Sequence, residues 1–121
     1  MIDLTNGWKL HIDPSAEWLF FRLTSDTPRA MGEPAVAEAI AREAAKSGIK
    51  RIVLELGDDV ILYSFLVGQV VSLHKRMLLE KGMFRLCGLS SDNADVLRVL
   101  NLAERLPNFR NREAAVMGWA G

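Results

Sequence analysis

The sequence has few of the residues from which disulfides and metal sites are built. Its 121 residues include one cysteine and two histidines. Cys87 has no second thiol with which to pair, which is typical of a protein from a reducing compartment such as the cytoplasm. His11 and His74 fall on different predicted elements, whereas a zinc site needs several Cys or His ligands around one ion. We therefore expect a cytoplasmic protein with no disulfide and no metal site.

An excess of charge of either sign is also absent. Fifteen Lys and Arg balance fifteen Asp and Glu, so the chain lacks the long-range field that attracts nucleic acid, anionic lipid or a polyanionic substrate. No stretch approaches the roughly 18 uncharged apolar residues of a membrane span, and residues 1–4 do not begin a basic and then apolar signal sequence. These absences predict a soluble, unexported protein that binds no nucleic acid, does not insert into a membrane and selects its partners by local shape.

The motifs of common enzymes are missing as well. The glycines are scattered singly and none precedes a Lys-Ser or Lys-Thr pair, which excludes a phosphate-binding P-loop. No nucleophile, base and orienting group occur in a matched arrangement, and nothing implies a cofactor. Asp58 and Asp59 follow Gly57, which is typical of a solvated turn, with partner recognition as the alternative. We expect a protein that is not an enzyme.

Hydrophobic residues make up half of the chain, enough for one core, and residues 1–121 are predicted to form one domain. Residues 8–12 and 18–23 read as strands around the turn residues 13–16, which predicts an antiparallel hairpin. The later predicted strands lie at 51–56, 83–87 and, as a short strand, near 107–109. The first predicted helix opens at Glu33-Pro34 and closes at Gly48, and the second spans 64–82. The third runs from about Ser91 to Leu100 with Asn101 as its left-handed end, and the last begins at Arg112. The predicted fold class is α/β, a mixed sheet of about five strands packed with about four helices.

The helix over 64–82 has the clearest helical period, and Ser64 lies at its start. Its predicted apolar face contains Val67, Val70, Val71, Met77 and Leu78. Ser64 is expected to be the N-cap, and the unpaired N–H groups and positive dipole end at that position would also accommodate a phosphate. At least one of Tyr63, Phe65 and Leu66 is expected to be exposed beside Ser64, because they cannot all face the sheet. This pattern favours a protein-binding surface.

The order of elements and several stretches resemble the STAS family, the sulfate-transporter and anti-sigma-factor antagonist domains. The resemblance covers nearly the whole chain and implies a STAS-like fold. The matching stretches are Val53-Leu54-Glu55-Leu56 in the central strand, Gly68 through Leu73-His74-Lys75-Arg76 in the long helix, Leu86-Cys87-Gly88-Leu89-Ser90 in the next strand and turn, and Val96-Leu97-Arg98-Val99-Leu100-Asn101-Leu102 in the following helix.

The resemblance also implies a site. In STAS antagonists of anti-sigma factors, a serine or threonine in an Asp-Ser-Ser-Gly-like motif is phosphorylated by the partner kinase, which releases the partner, and a phosphatase restores binding. The motif falls on Tyr63-Ser64-Phe65-Leu66, so Ser64 is the implied phosphorylation site. Tyrosine, phenylalanine and leucine replace the acidic residue, the second small residue and the glycine. The predicted partner-binding residues are Asp58, Asp59, Tyr63, Ser64, Phe65 and Leu66.

The leading functional hypothesis is a regulatory protein-binding module that resembles a bacterial anti-sigma-factor antagonist and acts in transcription regulation. The resemblance implies an anti-sigma factor with serine kinase activity as its partner and a serine phosphatase as a second partner. The alternative keeps the fold without the switch. It is a constitutive scaffold, or a soluble subunit of a lipid or anion transport system, in which Ser64 only caps the helix. Nucleotide binding stays open.

Overall fold

The computed structural model describes residues 1–118, which form six β-strands and four α-helices. The strands are β1 (Ile2–Asp3), β2 (Trp8–Pro14), β3 (Leu19–Ser25), β4 (Arg51–Leu56), β5 (Met83–Cys87) and β6 (Asn108–Phe109). The helices are α1 (Val36–Ser47), α2 (Ser64–Leu79), α3 (Ser91–Val99) and α4 (Arg112–Met117). None of the helices in this part of the chain is long and apolar enough to cross a bilayer.

The strands of residues 1–118 form one mixed sheet in the order β1-β2-β3-β4-β5-β6. The pairs β1–β2 and β2–β3 are antiparallel, and the remaining three pairs are parallel. The hairpin reverses the chain, whereas each helical connection returns it parallel to the preceding strand. The predicted mixed α/β sheet is confirmed, with six strands instead of about five. The additional strand, Ile2–Asp3, is too short to show an alternating pattern.

The central strands turn alternate side chains to the two faces of the sheet. One face carries the main core, in which Phe21, Leu54 and Leu86 are at most 1% exposed and to which α1, α2 and α3 contribute. On the opposite face α4 helps to form a smaller core, whose buried residues are Trp18, Val53, Cys87, Phe109 and Ala115. Helices thus lie on both faces, and the carboxyl ends of the parallel strands meet at one edge.

The ends of α1 and α3 test the capping predictions. Gly48 ends α1 with a φ of +74°, and Asn101 follows α3 with a φ of +58°. Both predictions are confirmed, because this left-handed region suits glycine and asparagine best. The predicted start of α1 at Glu33-Pro34 is wrong, because the helix begins at Val36. The Val36 N–H bonds to the Pro34 carbonyl at 2.8 Å, so the chain makes one tight turn before the helix begins at Val36.

The buried face of α2 differs in part from the predicted one. The structure buries Leu66, Val70, Leu73 and Met77. These positions follow the i, i+4, i+7, i+11 period, whereas the predicted face included residues one step further around the helix. Val67 and Val71 are half-buried, and Leu78 is 59% exposed. The helix also ends at Leu79, before the predicted end at Gly82. Apolar side chains therefore remain open on the side of α2 that faces α3.

Candidate functional site

The segment 57–63, which joins the carboxyl end of β4 to α2, is held on one side by Asn93. The Asn93 side-chain oxygen accepts a hydrogen bond from the Leu62 N–H at 2.9 Å, and its side-chain nitrogen donates one to the Val60 carbonyl at 2.8 Å. The Ser90 hydroxyl accepts a bond from the Asn93 N–H at 3.1 Å and caps α3. Asn93 is 4% exposed and is the one buried polar side chain among the described residues. The first turn of α3 thus positions the segment.

The loop before α1 holds the same segment from the other side. The Arg29 N–H donates to the Asp59 carbonyl at 3.0 Å, and the Tyr63 hydroxyl donates to the Gly32 carbonyl. The Tyr63 ring also stacks on Phe65, with ring centroids 6.5 Å apart. Burial, and to a lesser degree a nearby carboxylate, raises the pKa of Tyr63, so its hydroxyl is a protonated donor at neutral pH. Tyr63 is therefore anchored beside the start of α2.

Ser64 is exposed and is the first helical residue of α2. The N-cap is Tyr63, with an extended backbone and no side-chain capping bond. The prediction that Ser64 caps the helix is therefore wrong. A capping side chain must come from the residue before the first helical one, because only that side chain points back at the N–H groups of the first turn. The Ser64 hydroxyl makes no hydrogen bond within residues 1–118 and is open to solvent.

Ser64 lines a hollow of about 420 Å³ between the start of α2 and the end of α3, which we call the Ser64 hollow. Its lining is mainly apolar. The lining residues are Leu62, Tyr63, Ser64, Val67, Asp95, Val96, Val99 and Leu100. Val99 and Leu100 are 70% and 50% exposed. Large apolar side chains that remain open around one hollow are characteristic of surfaces that bind another protein.

The other predicted site residues occupy different places. Asp58 and Asp59 are exposed but line a separate hollow of about 230 Å³ on the other side of the segment 57–63, where Asp58 Oδ1 lies 4.0 Å from Arg22 Nη2. Phe65 is half-buried against Tyr63. Leu66 is predicted to contact a partner. Its side chain is instead 2% exposed and belongs to the main core, so a partner cannot reach it. The structure therefore joins Tyr63 and Ser64 in one hollow and leaves the acidic pair in another.

Sequence reasoning missed the contribution of α3. Asn93 holds the segment 57–63, and Asp95, Val96, Val99 and Leu100 line the Ser64 hollow. A signal for the last two was present, because adjacent large apolar residues at the end of a helix cannot both face the sheet. No local pattern marked Asn93, whose partners lie 31 and 33 positions away.

The titratable groups of residues 1–118 form no cluster that could hold a metal ion, since no three His, Cys, Asp or Glu side chains are placed to do so together. Glu55, on the face that α4 covers, lies 3.2 Å from Arg112 Nη2 and 3.5 Å from Arg22 Nη1 and is neutralised by them. Burial, followed by the Glu55 carboxylate, raises the pKa of the Cys87 thiol to about 11. That thiol is protonated at neutral pH and is a poor nucleophile. The geometry offers a binding surface.

Comparison with known proteins addresses the fold. No model of a known protein family matches the sequence, and no curated protein sequence matches it significantly. The NMR structure of the protein TM1081 matches with a TM-score of 0.71 at 17% identity, over 88% of this chain and 84% of that one. The anti-sigma factor antagonist SpoIIAA, in its unphosphorylated form, matches with a TM-score of 0.60 at 17% identity, over 93% of this chain and 100% of that one.

The fold is STAS-like. The likeness to SpoIIAA thereby confirms the fold that the sequence resemblance implied. In this STAS-like fold, the segment 57–63 and the start of α2 lie at the edge where the parallel strands end.

Proposed function

We propose that this STAS-like chain is a regulatory protein-binding module that acts as an anti-sigma-factor antagonist. Its partner is an anti-sigma factor with serine kinase activity, which phosphorylates Ser64, and a serine phosphatase reverses the modification. The observation that carries the proposal is the exposed hydroxyl of Ser64, which makes no hydrogen bond within residues 1–118 and lies beside an apolar hollow. The likeness to an anti-sigma factor antagonist with an unphosphorylated form supports this type of partner.

A phosphate on Ser64 has a direct physical effect on binding at the Ser64 hollow. Ser64 is exposed and at the N-terminus of α2, where the helix dipole favours a charge of about −2, so the fold tolerates the group. The same charge stands beside apolar side chains and the Asp95 carboxylate. An apolar partner side chain that enters the hollow would strip water from the phosphate, which is costly. Phosphorylation therefore releases the partner without unfolding the chain.

The test is affinity capture from native lysate with the wild type, Ser64→Ala and Ser64→Asp, followed by mass spectrometry of the captured proteins and of Ser64. We expect the wild type and Ser64→Ala to retain a serine kinase or sigma-regulating protein and Ser64→Asp to lose it. Ser91→Asp is the matched control, because Ser91 is also exposed and is the first helical residue of α3. Capture without such a protein, together with a Ser64→Asp profile equal to the wild type, contradicts the proposal.

A second candidate is a constitutive scaffold of the same fold, in which Ser64 is not modified. The anchoring of Tyr63 favours it, because a kinase must draw the residues around the hydroxyl into an extended conformation. This anchoring resists such a change. In that case Ser64→Ala and Ser64→Asp retain the same partners, and mass spectrometry finds Ser64 unmodified.

A further inference from the structure

Further along α2, on the same side of the helix as the Ser64 hollow, lies a second apolar hollow of about 300 Å³, which we call the Leu78 hollow. It lies between the second half of α2 and the chain that follows α3. Its lining residues are Val71, His74, Lys75, Leu78, Leu102, Arg105 and Leu106. Leu78 is 59% exposed although it is a large apolar side chain. The two hollows share no residue.

The two charged side chains that line the Leu78 hollow, Lys75 and Arg105, are both positive. Lys75 and Arg105 are exposed, and neither makes an ion pair within the part of the chain that the structure describes. The neighbouring Arg76, by contrast, lies 3.9 Å from Glu80. The apolar lining of the Leu78 hollow and its two cations are complementary to a partner surface on which an apolar side chain lies next to a carboxylate.

His74 adds an unsatisfied polar group to this hollow. Its Nδ1 atom is buried and has no hydrogen-bond partner among the described residues. Burial, followed by the Arg105 guanidinium, lowers the pKa of His74, so the ring is neutral at pH 7. An acidic or hydrogen-bonding group in the hollow would lie close to both cations and to this ring.

We propose that the Leu78 hollow binds an acidic amphipathic helix of a protein partner, with an apolar side chain seated against Leu78 and carboxylates paired with Lys75 and Arg105. The inference rests on the proposed function for the existence of a protein partner and states the chemistry of that partner. Val67 and Leu78 are eleven residues apart on one helix, or about 16 Å. A partner helix of about three turns that lies along α2 therefore reaches both hollows.

A concave hollow favours a helix over a membrane surface. Peripheral membrane binding needs apolar side chains that protrude into the lipid and a cluster of cations. Here the apolar side chains line a concavity, and the chain carries no net positive charge. Binding of anionic vesicles at these residues is therefore an outcome that would contradict the inference.

The probe is a synthetic peptide of about 12 residues, with leucines at helical spacing and glutamates between them, titrated into the isotope-labelled chain. We expect saturable NMR shift changes at residues 71–78 and 102–106. We expect none of these changes with the matching peptide that has lysines in place of glutamates. Lys75→Glu combined with Arg105→Glu should weaken the acidic peptide at least about tenfold and allow the basic one to bind. Arg76→Glu, on the same helix but outside the hollow, is the control and should leave the affinity unchanged.

Three results would overturn the inference. They are equal binding of the acidic peptide to the wild type and to the double variant, shift changes that map elsewhere, and binding of phosphatidylserine vesicles at these residues without binding of the peptide. The native partner separates this inference from the proposed function. If Ser64→Asp releases the native partner but the Lys75 and Arg105 double variant does not, the inference about the Leu78 hollow is wrong and the proposed function stands. Peptide binding with no kinase or sigma regulator captured contradicts the proposed function alone.

Discussion

The Ser64 hydroxyl contributes little to the fold, which separates a structural from a functional role for this residue. It is exposed and does not cap α2, whereas the Ser90 hydroxyl accepts a bond from the Asn93 N–H at 3.1 Å and caps α3. Two serines at neighbouring helix starts therefore have different physical roles. If a substitution at Ser64 alters the binding of a partner, the effect can therefore be attributed to binding, because the substitution changes the stability of the fold little.

Substitution of these two serines gives the first prediction. Ser64→Ala should change the free energy of unfolding by less than about 0.5 kcal/mol, as exposed substitutions away from caps usually do. Ser90→Ala should cost about 1 kcal/mol, because it removes a capping bond. Urea unfolding monitored by circular dichroism measures both values. A loss at Ser64 as large as that at Ser90 would mean that Ser64 does cap α2.

Asn93 is the residue on which the shape of the site depends most, and it gives the second prediction. Asn93→Ala should lower the free energy of unfolding by about 2–3 kcal/mol, because it leaves the Leu62 N–H and the Val60 carbonyl buried without partners. Hydrogen exchange at the Leu62 amide should become faster as the segment 57–63 loosens. Asp95→Ala is the control on the same helix, since it removes only a surface ion pair with Arg98. An unchanged Leu62 exchange rate in Asn93→Ala would contradict this role.

Among the elements, α2 lines both hollows and packs on the sheet. Two glycines, one within α2 and one just after it, differ in the space around them. The chain leaves α2 through a tight approach to β4, where a Cβ on Gly82 would lie 2.2 Å from the Lys50 carbonyl oxygen. That carbonyl accepts the Met83 N–H at 2.8 Å, where β4 and β5 begin to pair. Gly68, in the first half of α2, has open space where its Cβ would be.

The third prediction compares these two glycines. Gly82→Ala should lower the free energy of unfolding by at least about 1 kcal/mol, because the backbone of α2 or β4 must move to admit the methyl group. Gly68→Ala should raise it by about 0.5–1 kcal/mol, because alanine favours the helix interior and nothing obstructs it. Thermal unfolding should shift the midpoint in opposite directions for the two variants. A shift in the same direction for both would refute the close approach at Gly82.

At the scale of the whole molecule, Arg112 ties the C-terminal helix to the sheet. Its guanidinium lies 2.7 Å from Asp13 of β2 and 3.2 Å from Glu55 of β4, and 5.3 Å from the centre of the Phe20 ring. These contacts join the first and last parts of the described chain. They hold α4 over the smaller core that contains Cys87.

The fourth prediction uses Cys87 to report on this attachment. The thiol is fully buried with a raised pKa of about 11, so it should react slowly with a disulfide reagent in the native state. Arg112→Ala should increase the reaction rate about tenfold, because loss of charged hydrogen bonds worth about 1–2 kcal/mol favours local opening of α4. Arg110→Ala, at an exposed position, is the control. Equal rates in the wild type and Arg112→Ala would show that other contacts hold the helix.

Local sequence patterns predict the order of elements from β2 to α4 and the mixed sheet. The alternation over residues 8–12 and 18–23 predicts the hairpin, and the helical period over 64–82 predicts α2, although the helix ends at Leu79. Gly48 and Asn101 mark helix ends because the left-handed backbone region is least costly for these two residue types. All of these signals are local, since they depend on neighbours within one or two turns of chain.

Which of the predicted residues share a surface depends on the packing of the helices on the sheet. That packing placed Leu66 in the core, left the Ser64 hydroxyl without a capping bond, and put Asp58 and Asp59 in a hollow apart from Ser64. It also placed the end of α3 beside the start of α2 and attached the segment 57–63 to Asn93. The physical reason is distance along the chain. Contacts between residues about thirty positions apart depend on how the helices pack on the sheet, and no periodicity within either segment specifies that packing.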